Sequence, residues 1–468
     1  MPIPTKLKDR ISANYHTRGE KLNFDLVVIG AGPAGYNLAA QSAGTGLKVA
    51  VVEKDKPGGV CTNAGCIPSK FLIDIAGYMN RSKLKYYGIS GQPPQLDFLL
   101  LMQEKNRKVE RIRKAIKMKI DSAGASYFAS AASINDENTV RLLDGGEILK
   151  TANIAVCTGS AENAPRAIPG IACASSPEEF LRGDTVRDSY ILIGGGVSSC
   201  ELASFFSSTG RKVLIVEKED RLLPFMDYEV SLAVESALKR RGVRVLCKAS
   251  VERAFVKDGA KGVIVSGAEY AADEIIAATG RMPLHAGLFE KDLLGLAPSE
   301  FIKTGPGQET SVSGIYAAGD ITGPPFLAHR AYFQSNIIAD RLYRGVTHTG
   351  GYFPASVVYT DPESASVGLA ESRKGEFEGG DLLVLRKNFV ENPKAVLDEA
   401  AGGFIKLLVS KKRGTLEGAS ICCKNAGEMI ASLTYAVNFC LPLSELRMIP
   451  LAHPTYSEMF SDILRQLR

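Results

Sequence analysis

The sequence predicts two doubly wound α/β units followed by a separate C-terminal domain. From Phe24 to Glu53, an apolar strand, a glycine-rich turn, an alanine-rich helix and a second strand follow one another. The same order returns from Tyr190 to Glu217, and a βαβ pattern that recurs one domain later indicates two similar units. Beyond Gly350, new strands and two amphipathic segments replace this alternation, which indicates a further domain.

Length and composition agree with several globular domains. A chain of 468 residues exceeds what one hydrophobic core usually serves, and its 45% hydrophobic and 23% charged fractions are those of a globular protein. A net charge of +5, without a run of Lys and Arg, gives no support for nucleic-acid binding. The apolar runs are far shorter than the roughly 18 residues that span a bilayer, so no membrane segment is expected.

The N-terminus and the cysteine content bear on location. Residues 1–23 mix basic and acidic side chains without the apolar stretch of an export signal, and we interpret them as an N-terminal extension. The nine cysteines are too few and too scattered for a disulfide scaffold. The sequence therefore predicts a cytoplasmic protein.

The first glycine-rich turn has the features of a dinucleotide site. It consists of Gly30, Ala31, Gly32, Pro33, Ala34 and Gly35. Such glycines permit a tight bend and close approach of a pyrophosphate, which then lies at the amides of the following helix N-terminus. Glu53, at the end of the next strand, can accept hydrogen bonds from ribose hydroxyls. Glycine also serves ordinary tight turns, but the agreement of strand, turn, helix, strand and acid favours a nucleotide site.

The second turn repeats this arrangement with one departure. It keeps Gly194 and Gly196 but places Ser199 where the third glycine of such a turn belongs. Helix and strand must therefore pack around a hydroxymethyl group, which weakens the match without cancelling it.

Glu217, at the end of the strand that follows the second turn, indicates which nicotinamide is bound. A carboxylate there accepts hydrogen bonds from an unmodified ribose and repels a 2′-phosphate, which favours NAD over NADP. Lys218 and Arg221 lie close enough in sequence to complicate this preference, although we interpret them as solvated surface charges.

Cys61 and Cys66 are the candidate redox pair. They precede the apolar helical segment Phe71 to Met79, so both should lie near a helix N-terminus, where amides and the helix dipole favour the reactive thiolate. In a regular helix, residues five apart have Cα atoms roughly 8 to 9 Å apart, beyond the ~7 Å limit for a disulfide. A bridge therefore requires a distorted first turn. Three glycines supply the backbone freedom for it, namely Gly58, Gly59 and Gly65.

Two other interpretations of these cysteines remain open. They could be reduced thiols that fill space, or metal ligands, although no second Cys or His pair offers a matching zinc spacing. The adjacent Cys422 and Cys423 we interpret as strand packing. No metal site is expected.

Several motifs in one order carry a family resemblance. They are Gly30 to Gly35, Gly58 to Lys70, Thr158 to Ser160, Gly194 to Glu201, Thr279 to Arg281, Gly314 to Asp320 and His453 to Glu458. With them the chain resembles the class I pyridine nucleotide-disulfide oxidoreductases, and most of all their dihydrolipoamide dehydrogenase branch. The likeness runs from Phe24 to the C-terminus.

The resemblance implies two cofactors, FAD on the first turn and NAD on the second. Asp320 is implied to lie near the ribityl chain, and Lys70 beside the flavin in a charge pair with Glu201 of another domain. Val251 is implied to touch the NAD adenosine, and Gly280 to lie on the nicotinamide side. The full implied cofactor-binding set is Gly30, Gly32, Pro33, Ala34, Gly35, Glu53, Lys54, Gly59, Val60, Cys61, Lys70, Thr158, Gly159, Ser160, Gly194, Gly196, Val197, Ser198, Ser199, Glu201, Glu217, Val251, Gly280, Arg281, Gly319, Asp320, Phe326, Leu327, Ala328 and His329.

The resemblance also implies the catalytic residues and a homodimer. His453 is implied to be the acid-base residue and Glu458 to orient it, and imidazole suits proton transfer near neutral pH. In the family this histidine serves the cysteine pair of the other subunit. The implied catalytic set is Cys61, Cys66, Lys70, Glu201, His453 and Glu458. Leu451 departs from the family, because many dihydrolipoamide dehydrogenases carry a second histidine there.

The resemblance implies a division into domains and a reaction. The expected domains are 24–155 and 280–349 for FAD, 156–279 for NAD, and an α+β dimerisation domain at 350–468. The expected activity is oxidation of dihydrolipoamide, free or on a lipoyl-bearing carrier protein, by NAD⁺. The alternatives are NAD(P)H-dependent reduction of another disulfide, and a flavin-containing assembly subunit of a lipoyl-bearing complex.

Overall fold

A computed structural model of the chain describes residues 23–79, 88, 95–290, 293–348, 350–376 and 381–467. The expected N-terminal extension, apart from Asn23, lies outside the described residues. The chain divides into two compact units. The first holds the residues up to Pro68, Gln103–Asn163 and Gly280–Gly351, and the second holds Ser69–Met102, Ala164–Thr279 and Tyr352–Arg468.

The first unit contains a seven-stranded sheet. Its parallel strands, in spatial order, are Ser126–Ala129, Val49–Glu53, Phe24–Ile29 and Ile148–Val156, with Ile315–Ala317 also pairing parallel to the last. Thr139–Leu142 and Ala132–Asp136 extend it with antiparallel pairing. Because Ile315–Ala317 joins this sheet, the chain returns to the first unit after passing through the second. A separate antiparallel pair is formed by Ser160–Glu162 and Arg281–Pro283.

Helices cover the seven-stranded sheet because its strands are apolar on both faces. Val27, Val28 and Val51 are fully buried. The helices of this unit are Pro33–Gly44, Gly59–Ala64 and Ala328–Arg344. The helix Cys66–Tyr78 begins in this unit, and the helix Phe98–Ser122 lies in it except for its first five residues. The charged segment Phe98–Ser122 forms one helix of 25 residues.

Residues Ala164–Thr279 of the second unit contain two sheets and their helices. A four-stranded parallel sheet has the order Arg244–Leu246, Lys212–Val216, Ser189–Ile193 and Glu274–Ala277. An antiparallel three-stranded sheet follows the order Val251–Lys257, Ala260–Val265 and Ala268–Ala272. The helices in this region are Pro177–Arg182, Val197–Ser208 and Tyr228–Arg240. The second predicted βαβ pattern is therefore present as strand, turn, helix and parallel strand.

The C-terminal part of the second unit is α+β, as predicted. Its five-stranded antiparallel sheet has the order Ser356–Val358, Ser364–Gly368, Thr415–Cys422, Phe404–Ser410 and Leu382–Asn388. Its helices are Pro393–Leu397, Ala426–Asn438, Leu443–Leu446 and Glu458–Leu464. Cys422 and Cys423 are buried at the end of one strand, which confirms that they pack in the core.

A buried ion cluster ties segments of the second unit together. The Lys406 side chain is 2% exposed, and its ammonium contacts Asp227 at 2.9 Å, Glu229 at 2.7 Å and Glu371 at 2.6 Å. Burial alone lowers the pKa of Lys406, but the hydrogen bonds that its ammonium donates to three carboxylates outweigh burial and raise that pKa. Asp227 also caps the helix Tyr228–Arg240 through the Glu229 N–H, so the cluster fixes that helix.

Lys406→Met is expected to lower the free energy of unfolding by about 3–5 kcal/mol, because it leaves the buried Asp227 carboxylate without its cation. Urea unfolding followed by circular dichroism measures this. The matched control is Lys117→Met, which removes the exposed Lys117–Asp121 pair at 2.6 Å and should cost about 0–1 kcal/mol. Equal losses in the two variants would contradict the argument.

None of the described helices is both long and apolar enough to cross a bilayer. Within the same residues, no cluster of three or more His, Cys, Asp or Glu side chains is arranged to hold a metal ion.

Candidate active site

The first glycine-rich turn links the strand Phe24–Ile29 to the helix Pro33–Gly44. Gly30 has φ +98°, and a Cβ there would overlap the Cys157 carbonyl oxygen, so only glycine fits. Gly32 stands at the N-cap of the helix, and no side chain caps the helix from that position. Amide N–H groups at this terminus thus remain to bind an anion.

Glu53 closes this turn from the end of the strand Val49–Glu53. Its carboxylate is buried, with 9% of the residue exposed, and accepts hydrogen bonds from Ala31 N at 2.6 Å and Asp55 N at 2.8 Å. A carboxylate has about four acceptor positions, so two of them remain for ribose hydroxyls. The acid predicted from the sequence therefore also holds the turn in shape.

Cys61 and Cys66 form a disulfide bond. Cys61 lies in the helix Gly59–Ala64, and Cys66 begins the next helix, Cys66–Tyr78. Between them Gly65 leaves helical geometry with φ −139° and ψ −111°, and the two Cα atoms come within 4.7 Å. The predicted distortion is confirmed, since one broken turn replaces the continuous helix that would keep the sulfurs apart.

The disulfide segment is hydrogen-bonded to the first glycine-rich turn. Gly58 N donates to Ala31 O at 2.7 Å, so the backbone of the segment is bonded to the backbone of the turn. The buried Asn63 side chain donates to Gly59 O at 2.9 Å and accepts from Arg113 Nε at 2.9 Å. A dinucleotide bound on this turn would therefore lie next to the bridge. Asn63 and Arg113 were missed in the sequence, where a lone amide and a helix-surface arginine carry no distinguishing pattern.

Ser160, Arg281 and Asp320 come together in the first unit. Ser160 Oγ donates to Asp320 Oδ2 at 2.7 Å, and Arg281 donates to Ser160 Oγ at 2.6 Å and Ser160 O at 2.8 Å. Gly319 N donates to Gln334 Oε1 at 2.8 Å, which fixes the residue before Asp320. Three predicted residues from distant segments thus form one hydrogen-bonded group, whereas no sequence pattern indicated Gln334.

The remaining first-unit candidates differ in exposure and packing. Leu327 is the N-cap of the helix Ala328–Arg344, and His329 on its first turn is exposed. Phe326 packs against Phe301 with ring centroids 5.6 Å apart. Lys54 is exposed, whereas Thr158 has a buried Oγ1 without a hydrogen-bond partner among the described residues.

The second glycine-rich turn reproduces the first. Gly194 has φ +97°, and Gly196 is the uncapped N-cap of the helix Val197–Ser208. Glu217 is 6% exposed and accepts from the N–H groups of Gly195 and Glu219, in the same way that Glu53 accepts from its own turn. The repeat predicted from the sequence therefore extends to the hydrogen bonds that stabilise each turn.

The two basic residues after Glu217 have local partners. Arg221 donates to Pro224 O at 2.9 Å and pairs with Asp220 at 3.0 Å, and its side chain is only 21% exposed. Our interpretation of Arg221 as a solvated charge is wrong, because its guanidinium is packed over the Tyr228 ring. Lys218 is exposed and lies 3.7 Å from Glu219.

Ser199 is fully buried, and its hydroxyl has no hydrogen-bond partner in the described part of the chain. Ser199→Ala is expected to raise the free energy of unfolding by about 1 kcal/mol, because it removes an unsatisfied hydroxyl and improves helix propensity. Thermal unfolding of the cofactor-free protein measures this. Ser204→Ala on the same helix is the control, since its Oγ accepts from Arg241 at 3.4 Å, and no such gain is expected there. A loss of stability in Ser199→Ala would contradict the prediction.

Lys70 and Glu201 form the predicted charge pair. Lys70 Nζ donates to Glu201 Oε1 at 3.0 Å and Oε2 at 2.8 Å, and Glu201 is 3% exposed. Both residues belong to the second compact unit. The reason is that the helix Cys66–Tyr78 packs its Leu72 and Ala76 into the core of the second unit.

His453 and Glu458 lie in one hydrogen-bonded turn. His453 Nδ1 is 2.8 Å from Glu458 Oε1, and Thr455 N donates to Glu458 Oε2 at 2.8 Å. The Thr455 N–H and then the imidazole hold the pKa of the Glu458 carboxyl below its usual value. Because a carboxylate only accepts, Nδ1 carries the hydrogen, and Nε2 is left to take up a proton.

Two side chains that the sequence did not single out hold this turn. The buried Asn392 donates to Thr455 O at 3.0 Å, and Tyr456 donates to Asp398 Oδ2 at 3.1 Å. Burial alone raises the pKa of Asp398, but hydrogen bonds from two lysines and Tyr456 lower it to about 2. The backbone on either side of Thr455 is therefore fixed, while the His453 side chain stays 67% exposed.

Family comparison agrees with this geometry. The pattern of the family described as pyridine nucleotide-disulphide oxidoreductase matches residues 24–335, and that of the dimerisation domain of the same family matches residues 354–463. The chain belongs to this family. It is a flavoprotein disulfide oxidoreductase that carries the family's dimerisation domain.

Relatives within the family are similar over nearly the whole chain. The dihydrolipoyl dehydrogenase of Mycoplasma pneumoniae is 32% identical, over 95% of this chain and 98% of that protein. The dihydrolipoyl dehydrogenase of Geobacillus stearothermophilus is 30% identical, over 94% of this chain and 95% of that protein. Among solved structures, the HOCl-induced flavoprotein disulfide reductase RclA from Escherichia coli, as a Cu(II) complex, has a TM-score of 0.86 at 26% identity. It covers 96% of this chain and 100% of its own.

The cofactors of the family, FAD and NAD, fit the two turns. Each turn has an uncapped helix N-terminus and a buried acid at the end of the next strand. A Cβ added at Gly196 would meet no atom within 4 Å, so the space over the second helix terminus is open. The Thr158 hydroxyl, which has no hydrogen-bond partner among the described residues, offers a donor in the first unit.

Proposed function

We propose that this chain oxidises dihydrolipoamide, free or on a lipoyl-bearing carrier protein, with NAD⁺ through the Cys61–Cys66 bridge. The observation that carries the proposal is the disulfide itself, whose segment is hydrogen-bonded to the first glycine-rich turn, from Gly58 N to Ala31 O at 2.7 Å. The full-length likeness to dihydrolipoyl dehydrogenases supports the substrate class.

The exchange steps balance at the two cysteines. One thiolate of the substrate attacks Cys61 Sγ, the Cys61–Cys66 bond breaks, and Cys66 leaves as a thiolate. The second substrate thiol then displaces Cys61, so the substrate leaves as a disulfide and the chain keeps a dithiol. The first glycine-rich turn and Glu53 would hold FAD, which would supply the two-electron chemistry that restores the Cys61–Cys66 bridge and reduces NAD⁺ to NADH. We infer that residues of the second turn, with Val251, hold NAD.

His453 and Glu458 handle the protons in this proposal. The neutral imidazole accepts a substrate thiol proton at Nε2, and the resulting cation is stabilised by the Glu458 carboxylate at Nδ1. We infer a homodimer in which His453 of one copy serves the cysteine pair of the other, and the matching dimerisation domain supports this. Lys70, paired with Glu201, is proposed to lie beside the flavin.

Steady-state assays of the FAD-loaded protein test the proposal. Dihydrolipoamide with NAD⁺ is compared with NADP⁺, and with a panel of disulfides assayed with NADH and NADPH. The proposal expects the highest kcat/KM with dihydrolipoamide and NAD⁺. A protein that binds no FAD, or that prefers another disulfide with NAD(P)H, would overturn it.

A second candidate is a reductase that runs from NAD(P)H toward another disulfide. The structural likeness to a flavoprotein disulfide reductase at a TM-score of 0.86 favours it, and so does Leu451 at a position where many dihydrolipoamide dehydrogenases have histidine. An assembly role without turnover is the outcome in which neither assay gives a rate. The domain boundaries and the cytoplasmic location stay predictions.

A further inference from the structure

Tyr359 touches both members of the Lys70–Glu201 pair. It follows the strand Ser356–Val358, and its backbone N–H donates to Glu201 Oε1 at 3.0 Å. The Lys70 ammonium lies over the Tyr359 ring, 4.7 Å from the ring centroid. All three residues belong to the second compact unit, although they come from three separate segments of the chain.

We propose that Tyr359 is a positioning residue whose aromatic face keeps the Lys70 ammonium on Glu201. The proposal deepens the proposed function and rests on it for the part that Lys70 plays in turnover. Tyr359 acts through Lys70 and is not itself a catalytic residue.

The contacts of the ammonium lead to this inference. Lys70 directs its hydrogens at both oxygens of Glu201, at 3.0 and 2.8 Å, and the electron-rich face of the ring contacts the same cation. The Lys70 side chain is still 34% exposed, so water competes for the ammonium. Lys70 has a flexible four-carbon side chain, which the hydrogen bonds to Glu201 alone cannot fix where water reaches the ammonium. The Tyr359 ring restricts the movement of that side chain.

The protonation state of Tyr359 agrees with its proposed positioning role. The residue is half buried, and burial, followed by the nearby Glu363 and Glu201 carboxylates, raises its pKa. It therefore stays a neutral phenol in ordinary buffers. Since Phe keeps the aromatic face and Leu removes it, the two substitutions separate the ring from the hydroxyl.

The test measures the rate at which an amine-reactive reagent modifies Lys70 in the FAD-loaded protein, followed by peptide mass spectrometry. Tyr359→Phe should leave this rate within about twofold of wild type. Tyr359→Leu should raise it at least about fivefold and lower kcat about tenfold, with KM for the dithiol little changed. Should Tyr359→Leu fold poorly, as judged by FAD content, Tyr359→Met serves as a second variant without a ring.

Tyr127→Leu is the matched control, because Lys117 lies over that ring at 4.8 Å in the other unit. It should leave the Lys70 rate unchanged. The proposal is overturned if Lys70 reacts equally fast with and without the Tyr359 ring, or if Phe and Leu act alike. Because the labelling needs no substrate, failure to oxidise dihydrolipoamide would contradict the proposed function and leave the labelling result unaffected.

Discussion

Cys66→Ser is expected to abolish dihydrolipoamide-dependent reduction of NAD⁺, by roughly 10³-fold or more, while FAD stays bound. Serine cannot form the bridge that Cys61 and Cys66 make at a Cα separation of 4.7 Å, and without that bridge the substrate thiolate has no disulfide to attack. Turnover is measured with the flavin content fixed by its absorbance. Cys440→Ser, which replaces an exposed free cysteine, is the control and should turn over normally.

Cys61→Ser and Cys66→Ser separate the roles of the two sulfurs. We propose that Cys66 is the sulfur that faces the flavin, so Cys61→Ser should leave a free Cys66 thiolate there and give a long-wavelength absorbance band without added reductant. Cys66→Ser should lack this band. The reverse result would exchange the two roles, and unchanged turnover in either variant would remove the bridge from the mechanism.

The patterns that were readable in the sequence are those whose cause is local. Gly30 and Gly194 are required by positive φ and close backbone approach, and both constraints act within one βαβ unit. The redox pair was also readable, because glycines around two cysteines five apart predict a broken helix, and Gly65 breaks it. The acids at the strand ends follow from the same repeat.

What escaped the sequence depends on contacts between distant segments. Asn63 meets Arg113, which is 50 positions away, and Lys406 meets Asp227, which is 179 positions away. Neither pair has a spacing that any helix or strand period would produce, so only the tertiary fold reveals them. Lys70 also meets Glu201, which is 131 positions away, because Lys70 follows its helix into the core that contains Glu201.

Glu53 and Glu217 have a structural role in addition to the ribose contact predicted from the sequence. Each accepts two backbone N–H groups, one from its own glycine-rich turn and one from the residue two positions further on. Replacing either acid therefore disturbs the loop that would hold a pyrophosphate as well as the ribose contact. Cofactor specificity and turn stability are coupled at both positions.

His453→Gln is expected to lower kcat by roughly 10²–10⁴-fold, the usual contribution of a positioned acid-base group. His348→Gln is the control, because His348 also pairs with a carboxylate, Asp340 at 2.9 Å, but outside the proposed site.

Glu458 has a pKa below the usual value of a glutamate. The stabilising contribution of its carboxylate is therefore present above that usual pKa and is lost as the pH falls through the lowered pKa. Glu458→Gln should therefore cost activity at neutral pH, where the carboxylate of the wild type is fully charged.

Mixed dimers decide which cysteine pair His453 serves. Consider a dimer of one Cys66→Ser chain and one His453→Gln chain. If each site is shared between copies, one of the two sites in this dimer combines an intact Cys66 with an intact His453. With random pairing half of the dimers are mixed, so differently tagged, co-expressed chains should recover about a quarter of wild-type activity. If His453 serves the cysteines of its own chain, no dimer contains a complete site, and the mixture stays as inactive as its parents.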